Sequence, residues 1–193
     1  MKKILSVLTF LAVLFCGINE VSAQGSAFPN GTLGINLGFG CGNSDWGGYG
    51  YNNHHNSFFV PTFNAAVDYA FLGNVINSHG SISGGGYFGI GCGHEKWDGN
   101  KNKDFRFRLG TRGALHYTWV NNLDTYAGIA LGYRQDSYKY IEPNGTEHPY
   151  GPFGDFDCFG FAGVRYIMGS FAIFSELQTT NFSYFQIGIS FVF

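Results

Sequence analysis

Five arginines, Arg106, Arg108, Arg112, Arg134 and Arg165, lie within stretches where apolar residues alternate with small or polar ones, and all five fall on the non-apolar side. Asp68 and Glu176 share that side. A guanidinium is permanently charged and forms fork-like hydrogen bonds with carboxylates, so this arrangement points to an internal network of paired charges. His116 has the same parity, two steps of the alternation from Arg112, and is read as a partner in that network rather than as a catalyst.

Other candidate chemistry is weaker. His54, His55, His94 and His148 stand near Asp45, Glu95, Asp98 and Glu147, but no ligand spacing recurs, so they read as polar residues on hydrated connections and no metal is expected. Gly84, Gly86 and Gly89 match G-x-G-x-x-G, yet a dinucleotide site needs a helix after the turn and here the strand pattern continues, so no cofactor is expected. The sequons at Asn30, Asn144 and Asn181 read as chance. Cys41, Cys92 and Cys158 are odd in number and irregularly spaced, a poor disulfide framework. Trp46, Tyr49 and Tyr51, within residues 41–57, and Tyr138, Tyr140, Tyr150 and Phe153, within 136–155, mix rigid rings with His, Asn and Gly. Such a mixture suits surface recognition, and it equally suits a cap over the end of a fold.

Composition narrows the class. The 193 residues include 30 Gly, 21 Phe and 12 Tyr, with only 12% charged residues. Average usage is about 7% Gly and about 25% charged. An apolar content of 45% excludes a disordered chain, and a formal charge of −2 gives no reason to expect nucleic acid as a partner. Lys2 and Lys3, the apolar run from Ile4 to Phe15, and Val21-Ser22-Ala23 form the three parts of a secretory signal, which predicts domains at 1–23 (signal peptide) and 24–193 (mature chain). No apolar run in the mature chain is long enough for a transmembrane helix.

Period-2 alternation organises the rest. From Phe105 to Trp119, odd positions are apolar apart from Thr111 and Gly113, and even ones carry Arg, Gly, Ala, His and Thr. Phe185, Ile187, Ile189, Phe191 and Phe193 repeat the pattern at the end, and six further segments near 32–40, 59–71, 82–90, 127–134, 156–167 and 171–178 bring the strands to eight. A soluble sandwich would show long charged side chains on its second face; here that face is small residues plus the arginines, which suits the inside of a narrow closed barrel with an aromatic-rich exterior in lipid. Long polar connections at 41–57, 93–104 and 136–155 alternate with short ones near Gly73-Asn74, Asn121-Asn122 and Gly169-Ser170, as outer-membrane barrels require, although the connection near Thr179-Thr180 is short. Tyr69, Phe71, Tyr117, Trp119, Tyr166, Phe171 and Phe193 form an expected aromatic girdle.

A leader, eight alternating strands and a terminal strand ending in Phe193 resemble the small outer-membrane β-barrel proteins of Gram-negative bacteria, the OmpX and OmpA-barrel type. The resemblance covers the mature chain and implies an all-β, eight-stranded antiparallel meander. It further implies outer-membrane lipids as surroundings and the assembly machinery as a partner that reads Phe185, Ile187, Ile189, Phe191 and Phe193. Members range from adhesion and structural proteins to lipid-modifying enzymes. The expected function is a monomeric barrel that is either structural, reinforcing the membrane, or binding, with an extracellular ligand held at its long loops. A lipid-modifying acyltransferase or deacylase is the alternative, and a diffusion pore ranks last because eight strands leave room only for side chains.

Overall fold

The computed structural model describes residues 26–46, 56–97 and 100–193. The expected leader, 1–23, lies outside them, as do Tyr49 and Tyr51. The strands are β1 (Leu33–Trp46), β2 (Asn56–Gly73), β3 (Gly80–Trp97), β4 (Asn100–Val120), β5 (Leu123–Ile141), β6 (Glu147–Met168), β7 (Phe171–Gln178) and β8 (Phe185–Val192). Each pairs antiparallel with its sequence neighbour, and β8 returns to β1, so the sheet is one closed barrel. The expected all-β eight-stranded meander is therefore the observed architecture.

Strict alternation along the strands sorts the side chains into two environments. Asn36, Asn64, Asp68, Ser83, Arg108, Arg112, His116, Asp124, Arg165, Glu176, Gln186 and Ser190 are buried inside. Phe39, Phe59, Val67, Tyr69, Phe71, Leu109, Trp119, Ile129, Phe156, Ile173, Ile187 and Phe193 are exposed on the outside. The usual rule of an apolar interior and a polar exterior is inverted, and the outer apolar surface far exceeds the few hundred Å² tolerated on soluble monomers.

At the end holding both termini the turns are tight. Asn122 (φ 67°) and Gly169 (φ 71°) supply the left-handed conformation that two-residue hairpin turns need. Between β2 and β3 a short 3-10 turn, Asn77–His79, intervenes.

At the opposite end the structure corrects the expected loops. The polar stretches 93–104 and 136–155 are mostly strand: β3 and β4 run to residues 97 and from 100, while β5 and β6 are separated only by 142–146, where Gly145 (φ 88°) closes the turn. Tyr138, Tyr140, Tyr150 and Phe153 are thus strand residues, and Trp46 is the last position of β1. The physical reason is that both faces are polar beyond the apolar band, so alternation fades while the hydrogen-bonded ladder continues.

The closure seam ends with Leu33 and Phe193 exchanging both backbone hydrogen bonds, each at 2.9 Å. Deleting Phe193 removes that last pair together with a terminal aromatic. The expected outcome is a several-fold lower yield of folded, heat-modifiable barrel in the membrane fraction; an unchanged yield would contradict this role.

Candidate functional site

Two regions gather the chemistry, the lumen and the outer part of the β3–β6 sheet. In the lumen, the alternation of β2, β4, β6 and β7 aims Asp68, Arg112, Arg165 and Glu176 at one another. Arg112 Nε lies 3.0 Å from Asp68 Oδ1, and its Nη2 lies 2.9 Å from Glu176 Oε2. Glu176 also accepts from Gln178 and Gln186, both at 2.8 Å, and Asp68 accepts from Asn36 at 2.8 Å. Arg165 is placed between Asp68 (3.6 Å) and Asp124 (3.5 Å).

Towards the far end, Arg108 donates to Asn64 (2.8 Å) and Gln178 (2.6 Å). Arg106 pairs with Asp104 and donates to the Asn43 carbonyl at 2.8 Å. Arg134, opposite Arg108 in register and partly exposed, reaches Asp136 at 3.2 Å and Asn181 at 3.0 Å. The rings facing inward complete the packing: Arg112 stacks over Phe161 (3.9 Å), and Arg108 over Phe182 (4.2 Å) and Phe159 (4.5 Å). Such contacts strengthen when water is excluded.

Two phenylalanines from outside the strands close this column. Phe28, ahead of β1, stacks on His116 with ring centroids 4.5 Å apart and lies 4.8 Å from Arg165. It is held by Ser81 Oγ donating to its carbonyl (2.5 Å) and by Ala27 N–H donating to Thr118 (2.7 Å). At the other end Phe182, from the β7–β8 connection, rests on Arg108, and Asn43 N–H donates to the Asn181 carbonyl (2.9 Å). Both rings are fully buried. Glycine makes the space: a Cβ at Gly34 would stand 3.1 Å from Phe28 and 3.2 Å from Arg165, and one at Gly89 would stand 2.8 Å from Asn64.

His116 belongs to the network through a chain that ring parity alone did not reveal. Its Nδ1 is 2.9 Å from Asp124, which as a carboxylate only accepts, so Nδ1 carries the proton; Nε2 is 2.8 Å from Ser83 Oγ. This Ser–His–Asp order resembles a nucleophile with its base. Here Ser83 is buried, Phe28 covers the imidazole, and the strand around Ser83 is paired on both sides.

The sequence reading missed Asp104, Asp124 and Asp157 as lumen acids, and Phe28 and Phe182 as plugs. The acids carry a usable signal, since each shares the inward parity of an arginine on its own or a neighbouring strand. The plugs lie outside any alternating segment and give no such signal. Cys41, Cys92 and Cys158 are all free thiols.

On the outer part of the sheet, a groove of about 480 Å³ opens between β3, β4, β5 and β6, lined by His94, Lys103, Phe105, Tyr138, Lys139 and Pro149 among others. Lys139 Nζ lies 2.7 Å from Glu147. That hydrogen bond, then the Lys139 charge and more distantly Lys103, hold the Glu147 carboxyl below the ordinary range. The pair therefore persists above the usual carboxylate pKa and is lost as pH falls through the lowered one. Burial, aided by Asp136, pushes the Tyr138 hydroxyl up to about 12, so it stays a neutral donor. Tyr140 donates to Asn100 at 2.8 Å, and His148 contacts Glu142 at 3.0 Å.

These features define a small eight-stranded closed barrel with a filled, charged lumen. No family model matches the sequence, and no curated protein matches it. Among solved structures the chain is similar to Ail, the attachment invasion locus protein of Yersinia pestis, at 13% identity over 85% of this chain and 99% of that one, with a TM-score of 0.55. Ail in complex with the heparin analogue sucrose octasulfate is similar to the same extent, with a TM-score of 0.54. The likeness is one of fold.

Replacing Arg112 with Met leaves Glu176 without its cation and Asp68 with a more distant one. Loss of a buried partner costs about 3–5 kcal/mol. The expected result is a clearly lower urea midpoint for unfolding from lipid vesicles, recovered in part when Glu176→Gln is added; an unchanged midpoint would contradict the pairing.

Proposed function

We propose that the chain is a monomeric integral outer-membrane barrel that recognises a ligand outside the cell through the projecting β3–β6 sheet. The observation that carries this reading is strand length. A tilted strand crosses a bilayer in about 9–11 residues. β7 and β8 have 8 residues each, whereas β3, β4, β5 and β6 have 18, 21, 19 and 22. The surplus stands beyond the apolar band as an ordered sheet.

The exterior supports the membrane placement. Exposed aromatics gather at two levels, Tyr69, Phe71, Trp119, Tyr166 and Phe193 towards the termini and Phe39, Phe59, Phe105 and Phe156 towards the far end. Along a strand tilted about 40°, the distance from Phe59 to Phe71 corresponds to a height of roughly 30 Å, the thickness of a hydrocarbon core. Only a closed sheet satisfies its backbone there, which also leaves no free edge for oligomerisation. The termini and tight turns would face the periplasm, where the terminal strand would engage the assembly machinery. Phe28 and Phe182 packed into the lumen argue against a diffusion pore. Adhesion or attachment is the kind of task implied by the name of the structurally similar protein, and a sulfated saccharide is the ligand in one of its structures.

Gln135 and Gly154 are register partners, so a two-residue Asn-Gly turn can join them and remove the outer β5–β6 hairpin. The trimmed barrel should insert normally, yet bacteria displaying it should bind surfaces coated with sulfated polysaccharide or matrix protein at least tenfold less than those displaying the intact chain. Equal binding would overturn the reading.

A second reading, a lipid-modifying enzyme, draws on Ser83, His116 and Asp124. It requires lipid to reach a hydroxyl sealed inside the lumen, so the folded protein should remain unmodified by a fluorophosphonate probe in intact-mass measurement. Stoichiometric labelling lost on Ser83→Ala would promote the enzyme.

A further inference from the structure

We propose that the row formed by His94, Lys103 and Lys139 on the outer face of β3, β4 and β5 binds a saccharide carrying phosphate or sulfate groups. The proposal rests on the reading that the projecting sheet stands outside the cell, and it names a site and a ligand chemistry for it.

Register places the three residues in one line across the sheet: His94 is opposite Lys103, and Lys103 is opposite Lys139. Directly opposed residues have Cβ atoms about 4.5–5.5 Å apart, and like charges there destabilise the pairing. The like-charged Lys103–Lys139 pair is costly to the sheet alone, and an anion shared between the strands removes that cost.

Among the described residues the nearby acids do not supply that anion. Glu147 contacts Lys139, and a single carboxylate faces two ammonium groups. Asp104 lies beside the row in sequence, but its carboxylate is turned inward to Arg106 and is fully buried. Among the described residues Lys103 makes no ion pair. The row is also not flat: it lines the groove of about 480 Å³, with Pro149 as a wall and the exposed ring of Phe105 below. A flat ring and flexible ammonium groups together suit a sugar bearing charged substituents, with lysines as adjustable point charges.

Phe105 belongs to the upper aromatic level, so the groove opens where lipid headgroups would lie and also where a soluble polysaccharide could reach. The two sources share one chemistry, and the experiment separates them. Full-length barrel in detergent micelles is titrated with a heparin-derived sulfated hexasaccharide. In the second arm, barrel in bilayer nanodiscs of phosphatidylcholine is titrated with a glycolipid bearing a phosphorylated disaccharide. Lys103→Gln with Lys139→Gln should lower affinity at least tenfold in the arm that holds the true source and flatten its salt dependence. Glu147→Gln should raise affinity about threefold, because it frees Lys139. Heat-modifiable migration confirms that each variant is folded.

Equal binding by the intact protein and the double lysine variant in both arms would overturn the site, as would weaker binding by Glu147→Gln. An impermeant amine reagent that fails to label Lys103 and Lys139 on intact cells would overturn the outward orientation instead, while lysine-dependent binding by the purified protein would still support the site.

Discussion

The structure depends on one requirement, that the charges turned into the lumen are balanced and hydrogen-bonded there. Four buried arginines, Arg106, Arg108, Arg112 and Arg165, face five buried carboxylates, and Arg112 is held by two of them at 3.0 and 2.9 Å. Ionised groups removed from water are costly unless paired and hydrogen-bonded. The strand order meets this condition: β2, β4, β6 and β7 each contribute a member of the Asp68, Arg112, Arg165 and Glu176 cluster, so pairing the charges also fixes how the sheet closes.

From that centre the rest of the interior follows. Eight strands leave a lumen only wide enough for side chains. Guanidinium groups fill it as stacked plates between Phe161, Phe159 and Tyr126, and the ends are stopped by Phe28 and Phe182. Glycines at Gly34 and Gly89 are the complement of those large groups, because a methyl at either position would press on a plug or an arginine partner. A rigid, filled column frees the far end of the sheet to extend without unravelling, and the row of His94, Lys103 and Lys139 stands on that extension.

The legible parts of the sequence are those governed by a period of two. Phe105 to Trp119 announces a strand because an apolar exterior and a charged lumen demand opposite residue types at successive positions, and the same logic places Arg106, Arg108 and Arg112 on one face. Where both faces meet water the demand disappears, so residues 93–104 and 136–155 read as loops although most are strand. Phe28 and Phe182 act through tertiary packing alone, and no local pattern distinguishes them from other phenylalanines. The groove was equally hidden, because His94, Lys103 and Lys139 are adjacent only once the register of three strands is known.

Collision accessibility of spin labels in bilayers tests the central claim, an apolar exterior in lipid with the sheet continuing into water. Single labels at Val67, Ile129 and Ile187, in a background where Cys41, Cys92 and Cys158 are serine, should collide freely with oxygen and hardly at all with a water-soluble nickel chelate. Labels at Lys103 and Lys139 should show the reverse preference. Nickel accessibility at the first three sites equal to that at the lysines would place the outer face in water and contradict the account.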